Sequence, residues 1–199
     1  MSEDNDNMYH FAELASGAYG GKDMTHLGYD IDNELSNRNR TLYVHKESGK
    51  TVMAFRGTNP KNSADMGTNA LLALGLKDIS SRFKNANKYS KKAMEKYGKD
   101  NVVFTGHSQG GSQALYVNSK HGNETHSYNP FVEPKINKAN LLTKAMYSLF
   151  KKPVQNNATI YKTTSDPISV FANLSNATVK QIKATSKNGH AMRNFLKRK

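Results

Sequence analysis

The feature that most constrains this chain is Gly106-His107-Ser108-Gln109-Gly110-Gly111, set directly behind the apolar run Val102-Val103-Phe104-Thr105. An apolar run of that length reads as a buried strand. The residues from Ser112 to Ser119 read as a helix. Joining a strand to a helix within so few residues forces a sharp reversal. The residue at its apex is held in a strained conformation, so its flanks must be almost free of side chains. Gly106, Gly110 and Gly111 meet that demand. The hydroxyl of Ser108 then projects beyond the strand's C-terminal end. The amides of the new helix face whatever negative charge develops there.

A serine hydroxyl is a weak nucleophile unless a base removes its proton and an acid orients the base. In strand–Gly-x-Ser-x-Gly–helix proteins the order along the chain is Ser, then Asp or Glu, then His. Downstream of Ser108 the sequence offers Asp166, just past a strand candidate at 158–163, and His190. His121 and His126 come too soon after the serine to have a strand-end acid ahead of them. Glu133 lies between Pro130 and Pro134 in an expected loop. An oxyanion would need two backbone N–H donors. One is expected from Gln109, and the other from the segment Phe55-Arg56-Gly57-Thr58 that ends an earlier strand.

Each residue also has a plainer reading. Ser108 could cap a helix in an ordinary glycine-rich turn. Asp166 before Pro167 could open a turn, and His190 could be a surface histidine. His107 is read as structural and Arg56 as an ion-pair residue beneath the loop.

The rest of the chain alternates strand and helix signals. A helix is expected from Met8 to Tyr19, closed by Gly20-Gly21, with residues 1–7 a disordered tail. Residues 27–31 form a weak strand candidate, while 41–45 and 51–55 form a hairpin. Phe83, Ala86, Ala93 and Tyr97 make the inner stripe of an amphipathic helix over 83–97, with Lys84, Lys88, Lys92 and Lys96 on its outer face. Further strands are expected at 125–129, 158–163 and 178–184, a helix at 140–152, and a short basic helix at 191–197. The pattern predicts an α/β fold in one domain spanning 8–199, with a mostly parallel central sheet flanked by helices.

Phe55-Arg56-Gly57-Thr58, Gly106-His107-Ser108-Gln109-Gly110-Gly111, Asp166-Pro167-Ile168-Ser169 and His190, taken in that order, resemble the class 3, fungal-lipase-like family of the α/β-hydrolase fold. The resemblance covers roughly residues 8 to 197. It implies Ser108 as nucleophile, Asp166 as orienting acid, His190 as base, and Thr58 as an oxyanion residue beside Gln109. It also implies hydrolysis of carboxylic esters, often of lipids, with no cofactor and no metal. The chain departs from the family at Gln109, where Leu is common. It departs again at Asn59-Pro60-Lys61-Asn62-Ser63, a polar stretch where such lipases usually place a lid.

Composition bears on the partners. The formal net charge is +13 and there are no cysteines, which leaves out disulfides, thiolate–zinc sites and cysteine nucleophiles. No apolar run is long enough to span a bilayer. The acidic start MSEDNDNMYH is unlike a signal peptide, which is compatible with a cytoplasmic or virion-associated protein. The positive charge suits an anionic membrane surface or a lipid or acyl-ester substrate; nucleic acid is the less expected partner. The lysine stripe over 84–96 reads first as a solvated helix face. The helix 140–152 reads first as core packing, with docking on lipid as its alternative. The apolar run 70–76 is a candidate acyl pocket or lid. The competing functional class is a degenerate hydrolase fold serving as a basic membrane- or nucleic-acid-binding module.

Overall fold

The computed structural model of the chain describes the backbone of residues 3–57, 68–130, 154–166 and 176–197, and the side chains of 5–57, 81–130, 154–166 and 176–197. Its frame is a seven-stranded sheet in which spatial order equals sequence order. The strands are β1 (Tyr29–Ile31), β2 (Arg40–His45), β3 (Thr51–Phe55), β4 (Val102–His107), β5 (Thr125–Tyr128), β6 (Ala158–Thr163) and β7 (Thr178–Ile182). Strands β1, β2 and β3 pair antiparallel; β2 and β3 form the hairpin expected from the sequence, with Tyr43 opposite Val52. From β3 onward every pairing is parallel.

Parallel neighbours need a crossover, usually a helix. Helix α2 (Thr68–Tyr97) connects β3 to β4, and α3 (Gln109–His121) connects β4 to β5. Helix α1 (Glu3–Gly17) precedes the sheet. Because side chains alternate across a strand, β3 and β4 feed two cores. Met53, Phe55, Val102 and Phe104 pack with Phe83, Ala86 and Ala93 of α2 and Ala114 and Val117 of α3. Val52, Ala54 and Val103 face the opposite side and pack with Phe11, Leu14 and Ala15 of α1. The sheet is therefore the middle layer of three.

Hydrogen bonds between layers fix α1. The Tyr128 hydroxyl donates to the Met8 carbonyl at 2.6 Å, and the Thr105 hydroxyl lies 3.2 Å from the Phe11 carbonyl oxygen. On the other side Asp32 accepts from the Tyr97 hydroxyl at 2.6 Å and from Lys96 at 2.9 Å. These contacts, with the amide of Leu35, outweigh burial and hold the Asp32 carboxyl below its ordinary range.

Four boundaries differ from the sequence reading. Helix α1 starts at Glu3, so most of the expected disordered tail is helical. Asp6 places negative charge near the positive end of the helix dipole, and Lys197 pairs with it at 3.2 Å. Residues Thr25–Leu27 form a 3₁₀ turn ending at Gly28 in the left-handed region, which shortens the strand expected at 27–31. Helix α2 begins at Thr68 and takes in the apolar run 70–76, whose side chains lie outside the described residues. The C-terminal basic helix is a 3₁₀ turn, Met192–Phe195. The helix expected at 140–152 also lies outside the described residues. No helix among the described residues is long and apolar enough to cross a membrane.

Phe104 is fully buried between the sheet and α2–α3. Truncation by Phe104→Ala is expected to cost about 3–5 kcal/mol. The measurement is a urea titration, with the midpoint falling and the slope unchanged.

Candidate active site

Strand β4 runs through His107 and α3 starts at Gln109, so Ser108 alone makes the turn. Its backbone adopts φ 57° and ψ −125°, a region that costs a residue with a Cβ about 1–3 kcal/mol. The surroundings over-determine it. The Ser108 amide donates to the Tyr128 carbonyl at 2.9 Å, and its own carbonyl accepts from the Ser112 amide at 3.1 Å. A Cβ on Gly110 would stand 2.1 Å from the Phe55 carbonyl oxygen, and one on Gly106 would stand 2.5 Å from the Gly110 backbone. The glycines therefore let β3, β4 and α3 close on one another at the point where the serine emerges.

Residues distant in sequence converge on that point. The Ser108 hydroxyl lies 2.8 Å from Nε2 of His190, and Nδ1 of His190 lies 2.9 Å from Oδ1 of Asp166. Because the ionised carboxylate only accepts, Nδ1–H is the donor to Asp166. Nε2 of the neutral ring is then left to accept from the serine. His190 is 2% exposed and Asp166 5%. Asp166 follows the end of β6, its amide on the Thr163 carbonyl at 3.3 Å. The plainer reading of His190 as a surface histidine does not hold.

A buried polar lattice holds the His190 segment. Three donors meet on the Gly189 carbonyl: the Thr163 hydroxyl at 2.6 Å, Nδ2 of Asn194 at 2.9 Å and Nδ2 of Asn129 at 3.0 Å. Oδ1 of Asn194 accepts from the amides of Thr185 and Ser186 at 3.0 and 2.9 Å. Asn129, just past β5 with φ 40°, accepts the Thr163 amide at 2.9 Å. None of these three residues carries a local motif, and the sequence reading did not single them out.

His107 is structural, as expected from the turn. Its Nε2–H donates to the His190 carbonyl at 2.7 Å, and its Nδ1 lies 2.8 Å from the Tyr19 hydroxyl, which must then be the donor. Burial, helped by the neighbouring His190, pushes the His107 pKa down to about 3, so the ring stays neutral. Burial also pushes the Tyr19 phenol up.

Gln109, the first residue of α3, is buried, and its backbone is placed where the helix amides begin. Thr58 lies outside the described residues, although Arg56 and Gly57 before it are described. Arg56 pairs with no acid among the described residues; its guanidinium donates to the Arg38 carbonyl at 3.1 Å. A residue absent from the sequence reading joins the two segments. Arg82 of α2 donates to Oε1 of Gln109 and, at 2.5 Å, to the Arg56 carbonyl.

The rival groups are engaged elsewhere. His121 meets Asn87 at 2.7 Å, and His126 meets Glu124 at 2.8 Å while stacking on Phe11. Glu133 lies outside the described residues. Among the described residues no cluster of three or more His, Asp or Glu side chains could hold a metal.

The neutral His107 makes stability depend on pH. An unfolded histidine takes a proton near 6.5, whereas folded His107 takes one only near 3. Its contribution is therefore complete above about pH 6.5 and declines as pH falls toward 3. His10, also lowered mainly by burial, acts in the same direction. Urea midpoints should fall between pH 6.5 and 5, above the range where most carboxylates protonate. His107→Gln should flatten that decline to the share left by His10.

Solved structures share this architecture. Lipase II from Rhizopus niveus superposes with TM-score 0.54 at 16% identity, covering 96% of this chain and 84% of that one. Lip2 lipase from Yarrowia lipolytica gives TM-score 0.54 at 14% identity, over 92% and 81% of the two chains. The N225Q mutant of MDLA from Penicillium cyclopium gives 0.52 at 15%, over 98% and 86%. At such identities the likeness is one of fold, and the fold is the lipase-type α/β-hydrolase fold. No curated protein matches the sequence. A family model does match, over residues 18–141 and thus more than half of the chain, and by that match this protein belongs to the Mbeg1-like family.

Proposed function

We propose that this protein is a serine hydrolase of carboxylic esters of lipids, with Ser108, His190 and Asp166 as its catalytic triad. The observation that carries the reading is the hydrogen-bonded series itself. A strained serine touches one ring nitrogen of a buried histidine, and a buried carboxylate touches the other. A helix cap or turn residue has no need of the two further partners, each supplied by a different part of the chain.

The chemistry follows from that order. Nε2 of His190 takes the proton of Ser108 as Oγ bonds to the ester carbonyl carbon. The carbonyl oxygen becomes an oxyanion, to be met by the Gln109 amide and by the amide of Thr58. Asp166 holds Nδ1–H and stabilises the imidazolium without taking its proton. His190 then returns a proton to the departing alcohol, leaving an acyl group on Ser108. Water repeats the sequence, giving its proton to His190 and its oxygen to the acyl carbon, and the acid leaves with Ser108 restored.

The net charge of +13 favours substrates presented on an anionic surface, and phospholipid over neutral fat. A lysine near such a membrane gains on the order of 1 kcal/mol. Arg82 supports the site as a positioning residue, because it ties the Gln109 side chain to the segment leading to Thr58.

A fluorophosphonate probe should label Ser108, and labelling should vanish in Ser108→Ala. Hydrolysis of an ester panel of varied chain length should fall about 10⁴–10⁶-fold in Ser108→Ala or His190→Ala, and about 10⁴-fold in Asp166→Asn. No labelling, together with salt-dependent nucleic-acid binding, would instead favour a non-catalytic basic module. Turnover on anionic vesicles should exceed that on neutral ones at low salt, and the difference should shrink as salt is added. Equal rates on both would overturn the phospholipid preference while leaving the hydrolase reading intact.

A further inference from the structure

Arg40 and Arg82 are drawn into the fold with no ion-pair partner among the described residues. Arg40, the first residue of β2, is 5% exposed. Its Nε donates to the Leu35 carbonyl at 2.8 Å, and its guanidinium carbon lies 3.3 Å above the centre of the Tyr89 ring. Arg82 is half-buried; two of its nitrogens reach Gln109 and the Arg56 carbonyl, and its buried Nε meets no acceptor among the described residues. No ion pair joins either arginine to a described carboxylate. The acids just before Arg40 in sequence, Asp32 and Glu34, are taken by Lys96 and Tyr97. Carbonyls and a π-face lower the cost of a desolvated guanidinium but do not neutralise it.

Both arginines line one cavity of about 100 Å³ between the β2–β3 end of the sheet and α2. The remaining polar lining is the Tyr89 phenol and amides, including those of Asn85 and Gln113, so the cavity is lined by cations and uncharged groups and by no carboxylate. Lys88 and Lys92 stand outside, their ammonium groups 5.8 and 5.5 Å from the centre of the same Tyr89 ring. A pocket walled by guanidinium forks and amides, with lysines at its approach, matches an oxyanion in both charge and donor geometry.

We propose that this cavity is a binding site for a phosphate group, with Arg40 and Arg82 as its charged ligands and the Asn85 and Gln113 amides as neutral ones. The proposal does not rest on the hydrolase reading: the cavity involves neither Ser108 nor His190 nor Asp166. The phosphate could belong to a free anion or to a lipid headgroup, and both would meet the same donors.

The test uses the full chain. Inorganic phosphate is titrated at constant ionic strength, with chloride as balance, and binding is followed by calorimetry and by the shift of the melting temperature. Wild type should bind saturably. Arg40→Gln and Asn85→Asp should each weaken binding at least about tenfold, since the first removes a guanidinium and the second sets a like charge against the ligand. Lys183→Gln, which lowers the net charge equally on an exposed residue of another region, should bind as wild type does. Ser108→Ala should also bind unchanged, whether or not it has lost esterase activity. Asn85 is exposed, so Asn85→Asp decides the matter if Arg40→Gln fails to fold. Vesicles of phosphatidic acid form a second arm. Capture that Asn85→Asp weakens and free phosphate displaces assigns the site to a headgroup; saturable binding of free phosphate without such capture assigns it to a free anion. Absence of wild-type binding to either probe overturns the proposal, as does binding that Asn85→Asp and Lys183→Gln lower equally.

Discussion

The approach of three backbones around Gly106 and Gly110 is the constraint on which the rest depends. Strand β3 ends at Phe55 against Gly110, and strand β4 passes Gly106 against the same residue. A methyl group at either glycine would meet backbone, which cannot rotate away. Closeness there sets the pitch at which α3 leaves the sheet, and Ser108 makes that turn in a strained, positive-φ conformation. The strain is local and the support is not. It comes from the Tyr128 carbonyl on β5 and from the packing of α3 on β3, β4 and β5.

The same geometry explains how much of the molecule was legible in its sequence. The strand–turn–helix at 102–121 could be read because its demands fall on adjacent residues: an apolar run, two small flanks and a helix-competent tail. The hairpin of β2 and β3 could be read for the same reason. The ends of helices were harder. Apolar spacing begins at Met8, but the helix starts at Glu3, across a polar stretch that leaves no periodic mark. At Thr25–Leu27 a left-handed Gly28 decided the local structure over a weak alternation.

Of the site, Ser108, Asp166 and His190 could be ordered from the elbow and its chain order. What secures them could not. Asn129, Thr163 and Asn194 act together only because β5, β6 and the C-terminal turn bring them onto one carbonyl of residue 189. Arg82 reaches the strand ends from the far helix. Polar residues of this kind take their meaning from a tertiary neighbour, and a single sequence does not display neighbours.

A sheet laid down in chain order has a temporal side. Each new strand joins a free edge, so none has to be threaded between two already in place. During synthesis the Ser108 turn, with β3 already made and β5 following soon after it, can settle early. The imidazole belongs to a segment that emerges more than 80 residues after the serine and reaches its seat only once β6 supplies Thr163 and Asp166. Until that late docking the Ser108 hydroxyl has no imidazole beside it, so on the proposed reading the nascent chain would not yet act on an ester.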